Sequence, residues 1–516
     1  MEENKMSKGK EILAILLLTL VIGTGTLAWI VWSSKDNTKM NVTIGDLADV
    51  SFKTGNDINI SNLSPSFYYD DGALTEFSIR KKKGLAMTLN TNIYLDITSI
   101  SDELKNDNFK YVLLSSSNGN TYNEVISSSF KDASVGKLDI VTDSPLTNGK
   151  TYYKFYIWID GNNENNETMQ GKSLKGTLNV DVSTPPVNAV TLVEGLDKGE
   201  TGDSGSGVYK VTHSAISAES SATGSEIPAV TDYRYYGPSP NNYICLDMEG
   251  GSTCPDKHLY RIIGSIYEEK ENTNRIKVIK ATPLTDGTTK GFSWDYTSSG
   301  SYSNIWATIT SGNFSNSLTS GSQLMKLLNS GLWWNGTSGS YYNGSKTATN
   351  VNFTNYKLSD KAKSYITTSR YYLGGYNTSS GVMTNQFYAY ERGTTRYDTN
   401  RPLYWDGMVG LMYPSDYGYA AGNSCVTGTD PFNYDGGCKN KDWLWMTTSS
   451  NYTSGAEWLM SPNSGNSYNA FRVFSTGPVD YDYGYHTFAV RPVFYLNSSA
   501  SISEGEGTSV APYILS

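Results

Sequence analysis

The stretch PNSGNSYNAFRVFSTGPVDYDYGYHTFA, residues 462–489, concentrates side chains suited to recognition. Tyrosine offers a large rigid contact face and a hydroxyl at low entropic cost, while Asn, Ser and Gly add adaptable hydrogen bonds. Alternation predicts two strands divided by a turn at Thr476, Gly477 and Pro478, with Phe471, Val473 and Ser475 on one side and Arg472 and Phe474 on the other. The second strand is predicted to set Tyr481, Tyr483 and Tyr485 on one face, opposite Asp480 and Asp482. The chemistry this pattern can do is non-covalent binding. Tyr468, Phe474, Tyr481, Tyr483, Tyr485 and His486 would supply contact area, and Asn466, Asn469, Arg472, Asp480 and Asp482 polar specificity. The competing reading is a tyrosine-rich hairpin that only covers the edge of a core.

Covalent chemistry has little to work with. The 3 histidines, His213, His258 and His486, lie far apart, which disfavours a His-dependent triad or a His-rich metal site. Glu457 beside Trp458 reads as a framework residue, and no facing carboxylate pair of the glycosidase kind stands out. No nucleophile elbow, phosphate loop or dinucleotide loop occurs in a strand-to-helix context. The chain is therefore read as a binding protein with no catalytic residues. Calcium is the one cofactor the residues suggest. Asp160, Asn162 and Glu164 alternate in DGNNENNE, but the glycine and glutamate that complete a calcium loop are missing. Asp416, Asp430 and Asp435 stand together in the polar stretch 415–438. Trp333, Trp334, Trp443 and Trp445 could stack on sugars, although core packing suits both pairs better.

The elements around these residues point to an exported protein. Residues 12–32, ILAILLLTLVIGTGTLAWIVW, carry no charge and are long enough to span a bilayer as a helix. Lys5, Lys8 and Lys10 before them favour a cytoplasmic N-terminus. The small residues of GTGTLAW leave both a cleaved signal peptide and an uncleaved anchor open. The 4 cysteines form two close pairs, Cys245 with Cys254 and Cys425 with Cys438. Three connectivities are possible, and short-loop entropy favours the two local bridges. With 41 Lys+Arg against 50 Asp+Glu the net charge is −9, which argues against nucleic acid as a partner. Charged residues make up only 18%, and Gly (49) and Tyr (39) take their place, a composition suited to β-structure with polar loops.

Short alternating segments fill residues 35–184: NVTIGDL, DINISNL, EFSIRKKKG, NIYLDITSI, KYVLL, KLDIV, YYKFYIWID and KGTLNVDV. They predict a β-sandwich or jelly roll, with one short helix over 101–108. The strand start TIGD, the segment ISNLSPSF and the pairing of YYKFYIWIDGN with MQGKSLKGTLNV make residues 11–184 resemble the camelysin/TasA-type surface proteins of Gram-positive bacteria. That resemblance implies a jelly roll on the cell surface and self-assembly into fibres. The protease activity ascribed to some members is not carried over, because the segment has no histidine.

Residues 185–235 are rich in Ser, Gly, Thr and Ala and are expected to be a linker with one strand, GVYKVTH. Residues 236–498 are expected to form a second, α+β unit. YRIIGSIY and NRIKVIKATPL read as a hairpin; SGSQLMKLLNSGLWW and LSDKAKSYI read as helices capped by Ser322 and Ser359; MVGLMYP and KDWLWMTTS read as strands. EWLMSP followed by VRPVFYL makes this unit resemble C-type-lectin-like domains of the formylglycine-generating-enzyme superfamily. The paired active-site cysteines of that superfamily have no counterpart here, so its activity is not carried over. Residues 461–503 contain no Lys, Glu, Met, Trp or Gln, the residue types whose codons never end in a pyrimidine. In this the stretch resembles the variable region of proteins diversified by retroelements.

The expected whole is mainly β: a signal or membrane-spanning segment (1–34), a jelly roll (35–184), a linker (185–235), a C-type-lectin-like domain (236–498) and a tail (499–516). The expected role is adhesin-like binding of a protein or glycan on another cell, a phage or a host, at the outer face of a bacterial membrane. A fibre or envelope subunit is the first alternative, and an extracellular enzyme the second.

Overall fold

Alternating apolar residues form long strands in the first part of the chain. In Asp57–Ser61, Ile58 and Ile60 are buried and their neighbours exposed, as one-faced burial requires. The computed structural model describes residues 40–44, 48–53, 55–82, 89–146, 149–162, 166–183, 185–310, 313–314, 318–445 and 455–516. The apolar segment 12–32 lies outside the described residues. Among those described, no helix is long and apolar enough to cross a membrane. Strands take 40% and helices 15% of the structure, so the chain is mainly β.

The chain divides into two compact units between Pro185 and Pro186. In the first, one sheet runs in the order Met40–Ile44, Ala48–Phe52, Ala73–Lys81, Lys150–Asp160, Phe109–Ser116 and Asn123–Ser129. The other runs Asp57–Ser61, Ser173–Ser183, Leu89–Ile100 and Gly136–Leu146. Both supply one apolar core, with Ile79, Leu113 and Phe155 from the first sheet and Leu95, Leu174 and Leu178 from the second. The helix expected over 101–108 is only a 3-10 turn at Asp102–Leu104.

The second unit is built on a ten-stranded sheet. Its centre is the expected hairpin, Leu259–Glu268 paired with Thr273–Lys280, and Val493–Leu496 pairs with the latter. Gln323–Asn329 and Asp360–Ser364 are helices, and the Ser322 and Ser359 hydroxyls accept from the backbone N–H of Met325 and Ala362. Cys245–Cys254 and Cys425–Cys438 are the two local disulfides, as expected of an oxidising compartment.

Three expectations are corrected here. The stretch 185–235 is not a linker: it holds the helix Ala189–Gly195 and the paired strands Gly207–His213 and Val230–Tyr236, the latter joined to Leu259–Glu268. Residues 499–516 are not a tail, because Ser501–Glu504 and Tyr513–Leu515 join the same sheet. MVGLMYP is not a strand. Gly410 makes one bridge to Val493, and a helix starts at Pro414, a residue pre-set for a first helical turn.

That helix, Pro414–Ala420, explains the fate of Asp416. Its Oδ2 accepts from the Tyr413 N–H at 3.0 Å and from Lys277 Nζ at 2.5 Å, and its Oδ1 accepts from Arg234 Nη1 at 3.0 Å. Arg234 also donates to Asp232 Oδ2, which lies 2.9 Å from His213 Nε2. Burial alone would push the Asp416 carboxyl up, but Lys277, Arg234 and the Tyr413 N–H outweigh it and hold it below the ordinary range. Burial holds the His213 ring below its ordinary value despite Asp232. Asp430 accepts from Asn433 and Gly381, and Asp435 from Gly437. Each of these three aspartates, whose spacing in sequence allowed a shared ion, thus has its own partners within the protein.

Candidate ligand-binding surface

The segment singled out by its tyrosines is a three-stranded sheet, Ala456–Pro462, Asn469–Phe474 and Val479–Tyr483. The first strand is anchored in the core. Arg491 donates through Nε and Nη2 to the two Glu457 oxygens at 2.7 and 2.9 Å, and Trp458 Nε1 donates to the Phe292 carbonyl. Glu457 is thus a framework residue. The turn falls where expected, with Gly477 N–H donating to the Phe474 carbonyl. Gly477 has φ 113°, and a Cβ there would sit 2.5 Å from the Tyr434 carbonyl oxygen, so only glycine fits.

Register decides which side chains face out. Phe471 opposes Tyr481 and Val473 opposes Val479, with Asn469 opposite Tyr483. One face thus holds Val473, Val479, Phe471 and Tyr481 and is mostly core; Phe471 is fully buried and Tyr481 packs edge-on against it at 5.8 Å. Only at its end does this face emerge, at Tyr483. The strand stops there, and His486 N–H donates to the Tyr483 carbonyl in a turn. Tyr485 is therefore set by a turn rather than by strand alternation.

The exposed aromatics nevertheless gather. Tyr483 is stacked against Tyr468 at 5.4 Å and against Tyr485 at 5.7 Å. Tyr485 meets Tyr302 at 4.8 Å and Tyr296 at 6.0 Å, and His486 lies 4.3 Å from Tyr485. Tyr468 and Tyr483 are 40% and 42% exposed, the most open rings of the group. Burial, with the neighbouring tyrosines, raises the Tyr302 hydroxyl above its ordinary value.

Most of the polar residues expected to read a ligand instead hold the surface together. Asn466 Oδ1 accepts from the N–H of Tyr468 and Asn469, and Asn469 is itself buried. Arg472 pairs with Asp482 at 2.8 Å beneath the rings of Phe474 and Phe488, and Asp482 also lies 3.0 Å from His486 Nδ1. Asp480 accepts from the Ser379 hydroxyl. Among the described residues no ring contact ties Phe474 to the tyrosines.

Residues outside the segment complete the surface. Tyr296 and Tyr302 come from the stretch WDYTSSGSYSNIW, whose Tyr, Ser and Gly composition matches that of 464–486 and was the available signal. Buried Asn304 donates its amide to the carbonyls of Asn463, Asn466 and Asn469, which fixes the loop that carries Tyr468. Nothing in the local pattern announces that role.

Elsewhere, Asp247, Glu249 and His258 bring ligand-type atoms within 4.8 Å of one another. Lys257 Nζ and His258 Nε2 both lie on Glu249 Oε1, at 2.8 and 3.1 Å, and Ser359 donates to Asp247. The group reads as a salt-bridge network beside the Cys245–Cys254 bridge. Trp333 and Trp443 are buried, so neither offers a free face to a sugar.

No protein-family model matches the chain, and no curated protein matches it. Among solved structures, a mutant of xylanase 10C from Cellvibrio japonicus in complex with xylopentaose shares 10% identity over 29% of this chain and 29% of that chain, with a TM-score of 0.17. The chain thus spans under a third of that structure, and a likeness this slight bears on neither fold nor function.

Proposed function

We propose that the protein is a bacterial cell-surface, adhesin-like binding protein whose ligand rests on the tyrosine surface of its second unit. In this reading the first unit is a jelly-roll sandwich, the second a C-type-lectin-like domain, and residues 12–32 the leader or membrane anchor. The single observation that carries it is the gathering of Tyr296, Tyr302, Tyr468, Tyr483, Tyr485 and His486 from two separate stretches onto one partly exposed patch. A structural hairpin has no need to recruit exposed rings from a second loop, whereas recognition surfaces are enriched in tyrosine. The disulfides support an extracellular setting.

The test is binding of the full chain to panels of glycans and of bacterial surface proteins, beside a Tyr468→Ser/Tyr483→Ser variant. The wild type is expected to bind, and the variant to lose about 30-fold or more in affinity, as for two moderate hot-spot residues, with its melting temperature unchanged. Binding that survives the double change would sink the reading. The retroelement aspect makes its own prediction. Sequencing the locus across a population is expected to show adenine-biased changes confined to codons 463–489; changes spread evenly along the gene would remove that aspect.

A second reading, a fibre subunit assembling through the first unit, has one observation in its favour. Phe67 and Tyr68 are 68% and 69% exposed beside one another, as a self-association patch would be.

A further inference from the structure

The rings of the tyrosine surface form a pavement. Tyr302 and Tyr485 meet at 4.8 Å, Tyr468 and Tyr483 at 5.4 Å, Tyr483 and Tyr485 at 5.7 Å, and Tyr296 and Tyr302 at 6.2 Å. Rings this close touch one another, which leaves no cage between them for an isolated headgroup. What they offer a ligand is the π-face of each open ring, and Tyr468 and Tyr483 are the most open. A ring face carries the negative part of the aromatic quadrupole and attracts a cation. The protein uses this attraction elsewhere: Arg392 lies over Tyr388 at 3.5 Å, Arg370 over Tyr404 at 4.2 Å and Arg234 over Tyr419 at 4.8 Å. Among the described residues no Lys or Arg lies over Tyr296, Tyr302, Tyr468, Tyr483 or Tyr485.

The charge around these rings favours a cation as well. The two stretches that carry them, 294–306 and 463–489, hold three carboxylates, Asp295, Asp480 and Asp482, against one permanent cation, Arg472. Arg472 pairs with Asp482 at 2.8 Å and stands opposite Asp480 in register, so one guanidinium serves two carboxylates. Asp295, next to Tyr296, accepts from the N–H of Ser303 and Gln323, and among the described residues no cation pairs with it. Exposed Lys346 reaches only the margin: its ammonium and the Tyr296 hydroxyl each lie 3.4 Å from where a Gly300 Cβ would stand. The whole chain carries a net charge of −9, which attracts cationic partners from a distance.

We propose that the tyrosine surface binds a basic protein partner, whose arginine side chains lie across the rings of Tyr468 and Tyr483; the proposal rests on the binding-surface reading and names its ligand class. A guanidinium is planar and weakly hydrated, so it stacks flat on an aromatic face and keeps its N–H donors at its edge, within reach of tyrosine hydroxyls. An ammonium is a compact, strongly hydrated charge and gives up more water on the same face. The surplus of carboxylates steers the partner, and the rings hold it.

The experiment uses the full chain and calorimetric titration at low salt with four probes: a peptide alternating arginine and glycine, its lysine and glutamate counterparts, and a neutral oligosaccharide of glucose. The arginine peptide is expected to bind tightest and the glutamate peptide not at all. Tyr468→Ser/Tyr483→Ser, which leaves every charge in place, is expected to lose about 10-fold or more in affinity for the arginine peptide. Tyr468→Phe/Tyr483→Phe keeps the ring faces and is expected to retain most of that affinity. Lys346→Glu, at an exposed position, is expected to tighten binding about 2- to 5-fold, a gain that added salt removes. The comparison among probes on the wild type does not depend on any variant folding. Tighter binding of the lysine or glutamate peptide or of the oligosaccharide, binding of none of the four, a Phe variant as weak as the Ser variant, or no gain in Lys346→Glu would each overturn the proposal. If the oligosaccharide binds tightest and is lost in the Ser variant, the surface reading stands and the basic partner falls. If arginine binding survives the Ser variant, it is attraction to an acidic chain at large, and the surface reading falls with the proposal.

Discussion

Asp416→Asn is expected to destabilise the second unit by about 3–5 kcal/mol, the usual cost of removing one partner from a buried ion pair. Asp416 is 2% exposed and takes a proton donor from each of three elements: Lys277 on the central hairpin, Arg234 on Val230–Tyr236, and the Tyr413 N–H at the start of its own helix. Arg234 and Lys277 carry two positive charges against the two negative charges of Asp232 and Asp416, and burial holds His213 toward its neutral form. The group is therefore balanced, and Asp416→Asn leaves one uncompensated cation in the core. Adding Lys277→Met restores the balance, so the double variant is expected to be more stable than Asp416→Asn alone. Equilibrium unfolding in denaturant measures both. A loss under about 1 kcal/mol, or a double variant less stable than the single, would show that the cluster does not organise this core.

The same pair sets an acid limit. Asp416 titrates in the folded state below its unfolded value of about 3.9. A carboxylate lowered in this way contributes stability that is fully present above about pH 4 and is lost as the pH falls through its folded pKa. The stability of the wild type is therefore expected to fall more steeply below about pH 4 than that of Asp416→Asn.

This cluster also shows where the sequence stops being legible. The hairpin of Leu259–Glu268 and Thr273–Lys280, the Ser322 and Ser359 caps and the two disulfides rest on interactions within a few residues, and local pattern was sufficient for all of them. The strands Gly207–His213 and Val230–Tyr236 lie in a Ser- and Gly-rich stretch that reads as a linker. Arg234 finds its second carboxylate 182 residues away, and Trp443 Nε1 donates to the Tyr235 carbonyl across 208. Partners so distant leave no periodicity to detect. The role of Asp416 is hidden for the same reason. Among its neighbours in sequence it looks like an oxygen ligand, and only the fold brings Lys277 and Arg234 to it. At the candidate site, alternation identified the strands and the turn at Gly477, and placed Tyr481 and Tyr483 on one face. It did not say how far along that face the core extends, and it could not bring in Tyr296, Tyr302 or Asn304 from another loop.

That last distinction separates two tyrosines that the sequence treats alike. Tyr481 lies against fully buried Phe471, whereas Tyr483 is 42% exposed and stacks only on other surface rings. Phe471→Ala is expected to cost about 3–5 kcal/mol of stability, as core aromatic truncations do. Tyr481→Ala, removing a half-buried ring and one edge-to-face contact, is expected to cost about 1–3 kcal/mol. Tyr483→Ala should stay within about 0.5 kcal/mol of the wild type, since nothing in the core leans on it. For binding the order reverses. Tyr483→Ala is expected to lose about 10-fold or more in affinity, while Tyr481→Ala, measured well below its melting temperature, should lose little. Unfolding curves and titrations on the same two variants give both comparisons. If Tyr483→Ala destabilises the protein as much as Tyr481→Ala does, the tyrosine surface is an extension of the core, and the hairpin is a structural cover rather than a place where a ligand binds.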